Sequence, residues 1–357
     1  MNQDIIGYLE ENKKTIDEAI KKYLPDKLTK EAVEWIFGKP SYEYDLQAIQ
    51  KSLVDPVWDL LNRGGKRWRP ALLLLVAEAL GGDLEKIKDF VVISELAHNG
   101  SLIHDDVEDS SELRRGKPCV HVKYGIDVSV NAGSFLYFLP LMALIKNRRS
   151  FPENILLRAW EAYAQELINI HCGQGLDIIW HNGKANADNL TEEQYLQMCA
   201  YKTGTLARLS ARLAVILSGG SEEIEKIMGR FAESIGVAFQ IQDDILSASG
   251  KEFQEKKGFG DDITEGKRTL LVINTMQKAT KEDKEKLLKI LNKHTGDKKE
   301  IQEALDILQR YGAVDYCKEK AKKIIRESWK EADNILEESS AKEKLKMFSD
   351  YLIQREI

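Results

Sequence analysis

Apolar side chains recur along most of the chain at the three- and four-residue spacing of an amphipathic helix, with charged residues between them. This pattern predicts helices over residues 6–23, 72–80, 86–104, 154–172, 192–217, 221–247 and 281–293, and a helical tail over 299–353. Alternating β-branched runs with hairpin dipeptides are missing, so nothing predicts a sheet. No long Pro-, Gly- or Ser-rich linker interrupts the pattern. We therefore expect one all-α domain over residues 1–357, in which residues 1–42 form an N-terminal helical extension without a motif.

Composition supports a mostly helical chain, because only 7 of the 357 residues are proline and 43% are hydrophobic. The charges nearly balance, with 52 basic and 58 acidic residues, which argues against a nucleic-acid partner. Any bound anion must therefore be met by a local basic cluster. The N-terminal residues lack the apolar centre of a signal peptide, and we expect no membrane span. The four cysteines are widely spaced without a CxxC pair, so we expect a cytoplasmic protein.

Two aspartate pairs follow largely apolar helical segments. In the sequence HDDVED (104–109), Asp105 and Asp109 are one helical turn apart and point the same way, whereas Asp106 is rotated away. Parallel carboxylates favour a hard divalent cation, and Mg²⁺ with a phosphate partner fits best. The second pair is Asp243 and Asp244, whose next turn carries Ser247. Acidic runs are usually solvated, but the apolar segments before both pairs favour a metal site.

Basic residues cluster where a bound anion would need them. The sequence RGGKRWRP (63–70) places four cations around two glycines, which allow the backbone to approach a phosphate closely. Arg114 and Arg115 follow the first aspartate pair within ten residues, and further lysines stand at positions 202, 257 and 267. Each cation alone would be read as a surface charge. A carboxylate pair beside two arginines, however, is the combination that holds a diphosphate through metal and guanidinium.

In their order along the chain and in their residues, these motifs resemble those of the trans-isoprenyl diphosphate synthases, the farnesyl and geranylgeranyl diphosphate synthase family. The matching pieces are GGKRWRP (64–70), SLIHDDVED (101–109), LRRGKP (113–118), GQGLDI (173–178), YKTG (201–204), FQIQDD (239–244) and KGFGDDITEGK (257–267). The sequences of these motifs are most similar to those of the geranylgeranyl diphosphate synthase branch. The resemblance implies an all-α helical bundle around a deep central cavity, usually in a homodimer.

The resemblance also implies a role for each matching residue. Asp105, Asp109 and Asp243 would hold the magnesium ions, about three in each active site, that bind the allylic diphosphate. The allylic diphosphate would also be bound by Arg114, Lys202 and Lys267. The diphosphate of isopentenyl diphosphate would be bound by Lys66, Arg69, His98 and Arg115. Thr203 and Gln240 would line the reacting centre, and Lys257 matches a further lysine on the diphosphate side.

The implied reaction condenses isopentenyl diphosphate with dimethylallyl, geranyl or farnesyl diphosphate. We expect geranylgeranyl diphosphate as the main product, because the column one and two turns before Asp105 is small: Gly100, Ser101 and Ala97. Gly100→Tyr would then shorten the product to C15, unless Gly100 only allows close helix packing. The floor of the column would come from Tyr137, Phe138 or Leu141. A C15 product, or one of C25 and longer, remains an alternative.

Two other functions stay open. A class I terpene synthase shares the metal-binding aspartates, but it has no use for a second diphosphate site. An inactive regulatory subunit of a synthase would commonly lose the first aspartate motif or the basic sites, and this chain keeps both. A di-iron carboxylate bundle is not indicated, because the six histidines do not form Glu-x-x-His pairs.

Overall fold

A computed structural model describes residues 2–249 and 260–354, and 79% of the residues are helical. The all-α prediction is therefore confirmed. The helices up to residue 146 are α1 (Asn2–Tyr23), α2 (Lys30–Phe37), α3 (Leu46–Ile49), α4 (Asp55–Leu61), α5 (Trp68–Ala79), α6 (Leu84–Ile87), α7 (Val91–Glu108), α8 (Val120–Tyr124), α9 (Ile126–Phe138) and α10 (Met142–Lys146). The later helices are α11 (Glu153–His181), α12 (Glu192–Cys199), α13 (Thr205–Leu217), α14 (Glu222–Ser249), α15 (Asp261–Thr264), α16 (Leu270–Lys278), α17 (Lys281–Lys293), α18 (Lys298–Arg310), α19 (Ala313–Ile335) and α20 (Ser340–Gln354).

The predicted helices are present, and their ends follow local capping chemistry. Helix α12 begins with a capping box, in which the Thr191 hydroxyl accepts from the backbone of Gln194 and the Gln194 side chain accepts from Thr191 N–H. The predicted helix over 192–217 is interrupted, because a π-helical turn, Ala200–Gly204, separates α12 from α13. Helix α9 was not predicted, since its apolar residues surround Gly133 and do not form a single stripe.

Two very short strands depart from the expectation that the chain has none. Strands β1 (Leu113–Arg114) and β2 (Lys117–Pro118) pair antiparallel, with Leu113 opposite Pro118 and Arg114 opposite Lys117. Arg115 and Gly116 form the two-residue loop, at φ 55° and 72°. Positive φ at both loop positions is the geometry of a type I′ hairpin turn. Glycine, which adopts positive φ without strain, stands at only one of these positions, Gly116, and the other is Arg115.

The chain divides into two compact units, and all their borders except the one after Ile335 fall inside helices. Unit 1 contains residues 1–164, 209–229 and 336–347, and unit 2 contains residues 165–208, 230–335 and 348–357. The single domain expected over the whole chain stays a prediction.

In unit 1, helix α7 is the central element. It packs along α9, and α5 and α1 also pack against it. Its buried residues include Val92, Ile93 and Leu96, and α5 contributes Leu72 and Leu73 to the same core. All five side chains are fully shielded from water, so the apolar half of α7 is fixed by the hydrophobic effect. The polar C-terminal end of α7 carries the first aspartate motif.

Unit 2 has its own core, in which α16 packs against α19, α12 and α18. Phe231 and Trp329 meet edge to face, with ring centroids 5.2 Å apart. Phe231 is fully buried, and so is Tyr195 of α12. This core supports the segment of α14 that carries the second aspartate motif.

One described helical segment, Ile126–Lys146, is long and apolar enough to cross a membrane by length and composition alone. The sequence reading did not single it out. The segment contains α9, a 3₁₀ turn (Leu139–Leu141) and α10. Because part of the segment is buried and α9 packs against α7, it also fits a core helix with one uncovered face.

Candidate active site

The first aspartate motif lies at the C-terminal end of α7. The backbone N–H of Asp109 donates to the carbonyl oxygen of Asp105 at 2.8 Å, so the two residues are one helical turn apart. Both side chains are half-buried, whereas Asp106 is fully buried. The predicted geometry is confirmed, since Asp105 and Asp109 lie on one face of the helix and Asp106 lies on another.

Two consecutive arginines of the β1–β2 hairpin contact different partners. Arg114 Nε donates to Asp106 Oδ1 at 2.7 Å, and Arg114 Nη2 donates to Asp105 Oδ2 at 3.2 Å. Burial by itself would lower the pKa of Arg114, but the carboxylates of Asp106 and Asp105 raise it above its ordinary value. Arg114 is thus held at the first aspartate motif.

Arg115 turns away from the aspartates toward the basic turn, which we define as residues 63–69. Its guanidinium donates to the carbonyl oxygen of Gly64, and a Cβ on Gly65 would lie 3.3 Å from its Nη2 atom. Burial lowers the pKa of Arg115, and the positive charges of Arg67, Arg114 and Arg63 lower it further against the opposing effect of Glu95. An anion at this position would reverse that effect.

The basic turn contains cations of two kinds. Arg63 is paired with Asp59 at 2.9 Å, and Arg67 is paired with Glu95 at 2.6 Å, so both are engaged by carboxylates. Lys66 lies exposed on the turn, and Arg69 is buried in the first turn of α5. These two belong to the set that the resemblance assigns to isopentenyl diphosphate.

Arg69 has no ion pair with a carboxylate within the described residues. Its guanidinium carbon lies 4.3 Å from the centroid of the Trp68 ring, and its Nη1 atom lies 3.4 Å from His98 Nε2. Burial lowers the pKa of Arg69 to about 10. Burial, followed by the charges of Arg69 and Arg115, lowers the pKa of His98 well below its usual range. The site therefore brings together Arg69, Arg115 and a neutral His98.

In unit 2, the π-helical turn Ala200–Gly204 presents Lys202 and Thr203. Lys202 Nζ lies 2.5 Å from Asp177 Oδ2, and Thr203 Oγ1 donates to Gln240 Oε1 at 2.7 Å. π-Helical turns are rare and are frequently found at functional sites. The turn thus brings the predicted Thr203 and Gln240 into direct contact and joins Lys202 to a carboxylate.

Three glycines allow this turn to pack closely on its neighbours. A Cβ on Gly173 of α11 would lie 2.2 Å from the backbone nitrogen of Lys202, and one on Gly236 of α14 would lie 2.5 Å from Cα of Gly204. Only glycine permits such approaches between helix backbones. Gly173 of GQGLDI, Gly204 of YKTG and Gly236 of α14 therefore have a packing role that fixes the position of Lys202.

The second aspartate motif has one buried and one half-buried carboxylate. Asp244 accepts from Tyr195 Oη at 2.6 Å and from Gln240 Nε2 at 2.9 Å. Burial, with a contribution from Asp262, raises the pKa of Asp244 to about 7. Asp243 is half-buried. Ser247 is buried, and we do not count it as a metal ligand. Asp244 is thus a structural carboxylate that orients Gln240.

The motif KGFGDDITEGK begins with Lys257 and ends with Lys267, and the structure describes only the second of these lysines. Lys267 follows α15, its backbone N–H donates to the carbonyl oxygen of Asp262 at 2.8 Å, and its side chain pairs with Glu265. Lys257 lies outside the described residues, so its assignment stays a prediction.

The small residues of the predicted chain-length column do not share one environment. A Cβ on Gly100 would lie 2.8 Å from the carbonyl oxygen of Gly133 and 3.0 Å from Leu136 Cβ, so Gly100 faces the backbone of α9. This favours the packing interpretation, and Gly100→Tyr would collide with α9 instead of blocking an open column. Ala97 is fully buried, whereas Ser101 is half-buried and donates to His98 O at 2.8 Å. The chain-length roles of Ala97 and Ser101 stay predictions.

The three residues expected to form the floor of the column differ in their exposure to solvent. Phe138 is 71% exposed and therefore does not close a cavity in its own chain. Tyr137 is half-buried and meets the His104 ring edge to face, with centroids 5.3 Å apart. Leu141 is half-buried in the 3₁₀ turn that follows. Tyr137 and Leu141 remain candidates for the floor.

Sequence reasoning did not assign roles to several supporting carboxylates. Asp106 orients Arg114, Asp177 contacts Lys202, and Glu95 pairs with Arg67. Asp177 stands within the quoted GQGLDI motif, and Glu95 is the only acid in the apolar stretch 91–103, so each had a sequence signal. All three are at least nine-tenths buried, where carboxylates need a partner.

The donor set suits magnesium. Within residues 2–249 and 260–354, no group of three or more His, Cys, Asp or Glu side chains is arranged to hold a metal ion. Asp105 and Asp109 instead offer two oxygen donors on one helix face. Mg²⁺ is typically bound by one or two carboxylates together with waters and substrate phosphates. These residues therefore fit a magnesium–diphosphate complex better than a cage built from protein alone.

Comparisons with known proteins decide the family. The model of the Polyprenyl synthetase family matches residues 50–308. This chain belongs to the polyprenyl synthetase family. It is therefore a prenyltransferase of the trans-isoprenyl diphosphate synthase type, as the motifs indicated.

Individual relatives agree over most of the chain. A short chain isoprenyl diphosphate synthase of Methanothermobacter thermautotrophicus is 37% identical over 83% of this chain and 88% of its own. A geranylgeranyl pyrophosphate synthase of Geoglobus acetivorans is 37% identical with the same coverage. The crystal structure of geranylgeranyl pyrophosphate synthetase from Pyrococcus horikoshii has 30% identity and a TM-score of 0.84, covering 99% of both chains.

Proposed function

We propose that this prenyltransferase condenses isopentenyl diphosphate with an allylic diphosphate, dimethylallyl, geranyl or farnesyl, in a magnesium-dependent reaction whose main product is geranylgeranyl diphosphate. The observation that carries the proposal is the pair Arg114 and Arg115. Arg114 contacts the carboxylates of the first aspartate motif, and Arg115 contacts the basic turn. One hairpin thus serves two anion-binding environments, as two diphosphate substrates require.

We assign the allylic diphosphate to Asp105, Asp109 and Asp243 through magnesium, and to Arg114, Lys202 and Lys267 directly. Magnesium, when bound, neutralises the diphosphate and stabilises it as a leaving group. Arg114 and the two lysines place fixed positive charge where negative charge grows as the allylic C–O bond breaks. The Asp106 and Asp177 carboxylates hold Arg114 and Lys202 in place before substrate arrives.

We assign isopentenyl diphosphate to Lys66, Arg69, His98 and Arg115. These residues bind its diphosphate and so orient its double bond toward the allylic carbocation. Attack by that double bond forms the new C–C bond, and the proton lost next can pass to the departed diphosphate. The hydroxyl of Thr203 and the amide of Gln240, which bond to each other, supply dipoles that do not compete as nucleophiles. Lys257 is assigned to the diphosphate side by resemblance alone.

The product length rests on the names of two similar proteins and on the residues of α7 and α9. The Geoglobus and Pyrococcus relatives carry geranylgeranyl names. We infer that Tyr137, half-buried against His104, limits chain length, with Ala97 and Ser101 as small residues of the column. Tyr137→Ala should lengthen the product beyond C20, and an unchanged product distribution would remove Tyr137 from this role.

We further propose a homodimer that covers the exposed apolar side chains of unit 1 on α9, α10 and α11. The exposed residues are Ile126, Val130, Phe138, Ile145, Leu157 and Trp160. Exposed apolar clusters of this kind usually mark protein interfaces. Phe138→Lys should convert the dimer to a monomer in analytical ultracentrifugation. A wild-type protein that sediments as a monomer, or one that requires detergent, would contradict the dimer.

We also propose a cytoplasmic location, supported by four cysteines that are not in disulfides, three of them buried. Cell fractionation with an antibody to the protein tests it, and recovery in the membrane pellet after a salt wash would contradict it.

The deciding experiment incubates the protein with labelled isopentenyl diphosphate, Mg²⁺ and each allylic primer in turn. Linear geranylgeranyl diphosphate supports the proposal, and omission of Mg²⁺ should abolish it. A cyclic hydrocarbon would instead identify a class I terpene synthase. Absence of any product would favour an inactive regulatory subunit, whose test is restoration of activity on addition of a catalytic partner.

A further inference from the structure

Arg67 lies in the middle of the basic turn, yet the protein itself holds its guanidinium on three sides. Nη1 donates to Glu95 Oε1 at 2.6 Å, Nε donates to Asp17 Oδ1 at 3.2 Å, and Nη2 donates to the carbonyl oxygen of Leu61 at 3.2 Å. The residue is 6% exposed. Arg67 is therefore engaged before any substrate arrives, unlike its neighbour Arg69.

The backbone of this segment needs such an anchor. Arg67 has φ 48° and ψ 30°, a left-handed conformation that L residues other than glycine seldom adopt. Gly64 and Gly65 just before it also have positive φ. A strained backbone persists only where surrounding contacts over-determine it. The three contacts of the Arg67 side chain provide that restraint.

The restrained turn sets the positions of the other cations. A Cβ on Gly65 would lie 3.5 Å from Arg67 Nη1 and 3.3 Å from Arg115 Nη2, so the two guanidinium groups flank the same glycine. Lys66 directly precedes Arg67, and Arg69 follows it in the first turn of α5. Movement of Arg67 would thus displace Lys66 and Arg115 together.

The two carboxylates come from different helices. Glu95 of α7 is 3% exposed, and its Oε1 atom also accepts from Asn99 Nδ2 at 2.8 Å. Asp17 belongs to α1, within the N-terminal extension that carries no motif and precedes the part matched by the family model. The contact from Asp17 gives this extension a direct connection to the basic turn.

We propose that Arg67 is a positioning residue, held by Glu95 and by Asp17 of the N-terminal extension, which keeps the basic turn in the conformation that binds the diphosphate of isopentenyl diphosphate. This inference rests on the proposed function. Because Glu95 is occupied by Arg67, the charges of Arg69 and Arg115 remain available to the substrate. The N-terminal helix then contributes to substrate affinity without touching the substrate.

The test measures binding of isopentenyl diphosphate alone by calorimetry, together with KM for each substrate and kcat. Asp17→Asn should raise the Kd for isopentenyl diphosphate about tenfold, as small displacements of site residues do. Glu95→Gln should raise it further, and the KM for the allylic diphosphate should stay within twofold. Asp17→Glu, which keeps the charge, should restore most of the affinity.

Glu225→Gln is the matched control. Glu225 is also buried in unit 1, and it pairs with Arg158 at 2.7 Å and with Arg212 at 2.9 Å, two arginines outside the basic turn. This variant should lower the melting temperature without changing the Kd for isopentenyl diphosphate. If Glu95→Gln fails to fold, half-exposed Asp17→Asn decides the question.

Two outcomes overturn the inference while leaving the proposed function intact: an unchanged Kd in both variants of an active enzyme, or equal losses for both substrates. A wild-type protein that neither binds isopentenyl diphosphate nor forms a prenyl product contradicts the proposed function instead.

Discussion

Arg69 Nη1 lies 3.4 Å from Nε2 of His98. A guanidinium has no acceptor, so the imidazole must accept through Nε2 and carry its single proton on Nδ1. The low pKa of His98, caused by burial and then by Arg69 and Arg115, agrees with a neutral ring. His98 is therefore a hydrogen-bonding partner in a cationic site and not an additional positive charge.

His98 should make folding stability depend on pH in a defined direction. Its folded-state pKa lies below the ordinary value of 6.5, so the unfolded chain binds a proton that the folded chain does not as the pH falls through 6.5. Stability should therefore decrease from pH 7 to pH 5. His98→Gln, which keeps a donor and an acceptor, should show a shallower decrease in melting temperature, and parallel curves would contradict the neutral histidine.

Replacement of the two neighbouring aspartates of the first motif by asparagine should have different effects on stability and on kcat. Asp106 is fully buried and bonded to Arg114, so Asp106→Asn should cost about 3 kcal/mol of unfolding free energy. Asp105→Asn should leave stability nearly unchanged and lower kcat by about 10²-fold or more, because Asp105 is half-buried and assigned to magnesium. Urea unfolding and steady-state kinetics on both variants separate the two roles, and identical profiles would contradict them.

Two glycines of the GQGLDI motif provide a matched pair. Gly173→Ala places a Cβ 2.2 Å from Lys202 N, and should cost about 1–3 kcal/mol while displacing Lys202. On the same helix, a Cβ on Gly175 would have no atom of the described residues within 4 Å. Gly175→Ala should therefore stabilise α11 by about 0.5–1 kcal/mol. Thermal unfolding and kcat measure both. Equal effects of the two substitutions would show that backbone approach at Gly173 is not limiting.

The hydroxyl of Tyr195 should stabilise unit 2 through Asp244. Tyr195 is fully buried and donates to Asp244 Oδ2 at 2.6 Å. Tyr195→Phe should cost about 1–3 kcal/mol, because it leaves a buried carboxylate oxygen without that donor. Tyr311→Phe is a control, since Tyr311 donates to half-buried Asp283 at 2.7 Å. Its loss should cost less, because Asp283 keeps its ion pair with Arg310. Chemical unfolding that ranks the two variants in the opposite order would contradict the role of Tyr195.

Several features of this protein could be predicted from the local sequence alone. Periodicity predicted α17 with its observed bounds, because an isolated amphipathic stripe between Thr280 and His294 needs no long-range information. The one-turn spacing of Asp105 and Asp109 likewise follows from helix geometry alone. The order of motifs was sufficient for the family, and with it for the reaction class.

Other features depend on contacts between residues distant in the sequence. Nothing local distinguishes Arg67, paired with Asp17 and Glu95, from Arg69, which has no such carboxylate among the described residues. Gly100 was read as part of an open column, but packing against Gly133 determines its environment. The interruption of the predicted 192–217 helix lies where Gly173 and Gly236 allow two other helices to approach it closely.

The sequence by itself determined the helical class, the carboxylate and cation inventory, and the family. It did so because helical periodicity and motif spacing are properties of neighbouring residues. Only the tertiary structure decided which arginines are already neutralised, which aspartates are buried, and which glycines lie between closely packed helices. Those outcomes depend on desolvation and on partners that folding brings within hydrogen-bonding distance, such as Asp17 and Arg67, 50 residues apart in the chain.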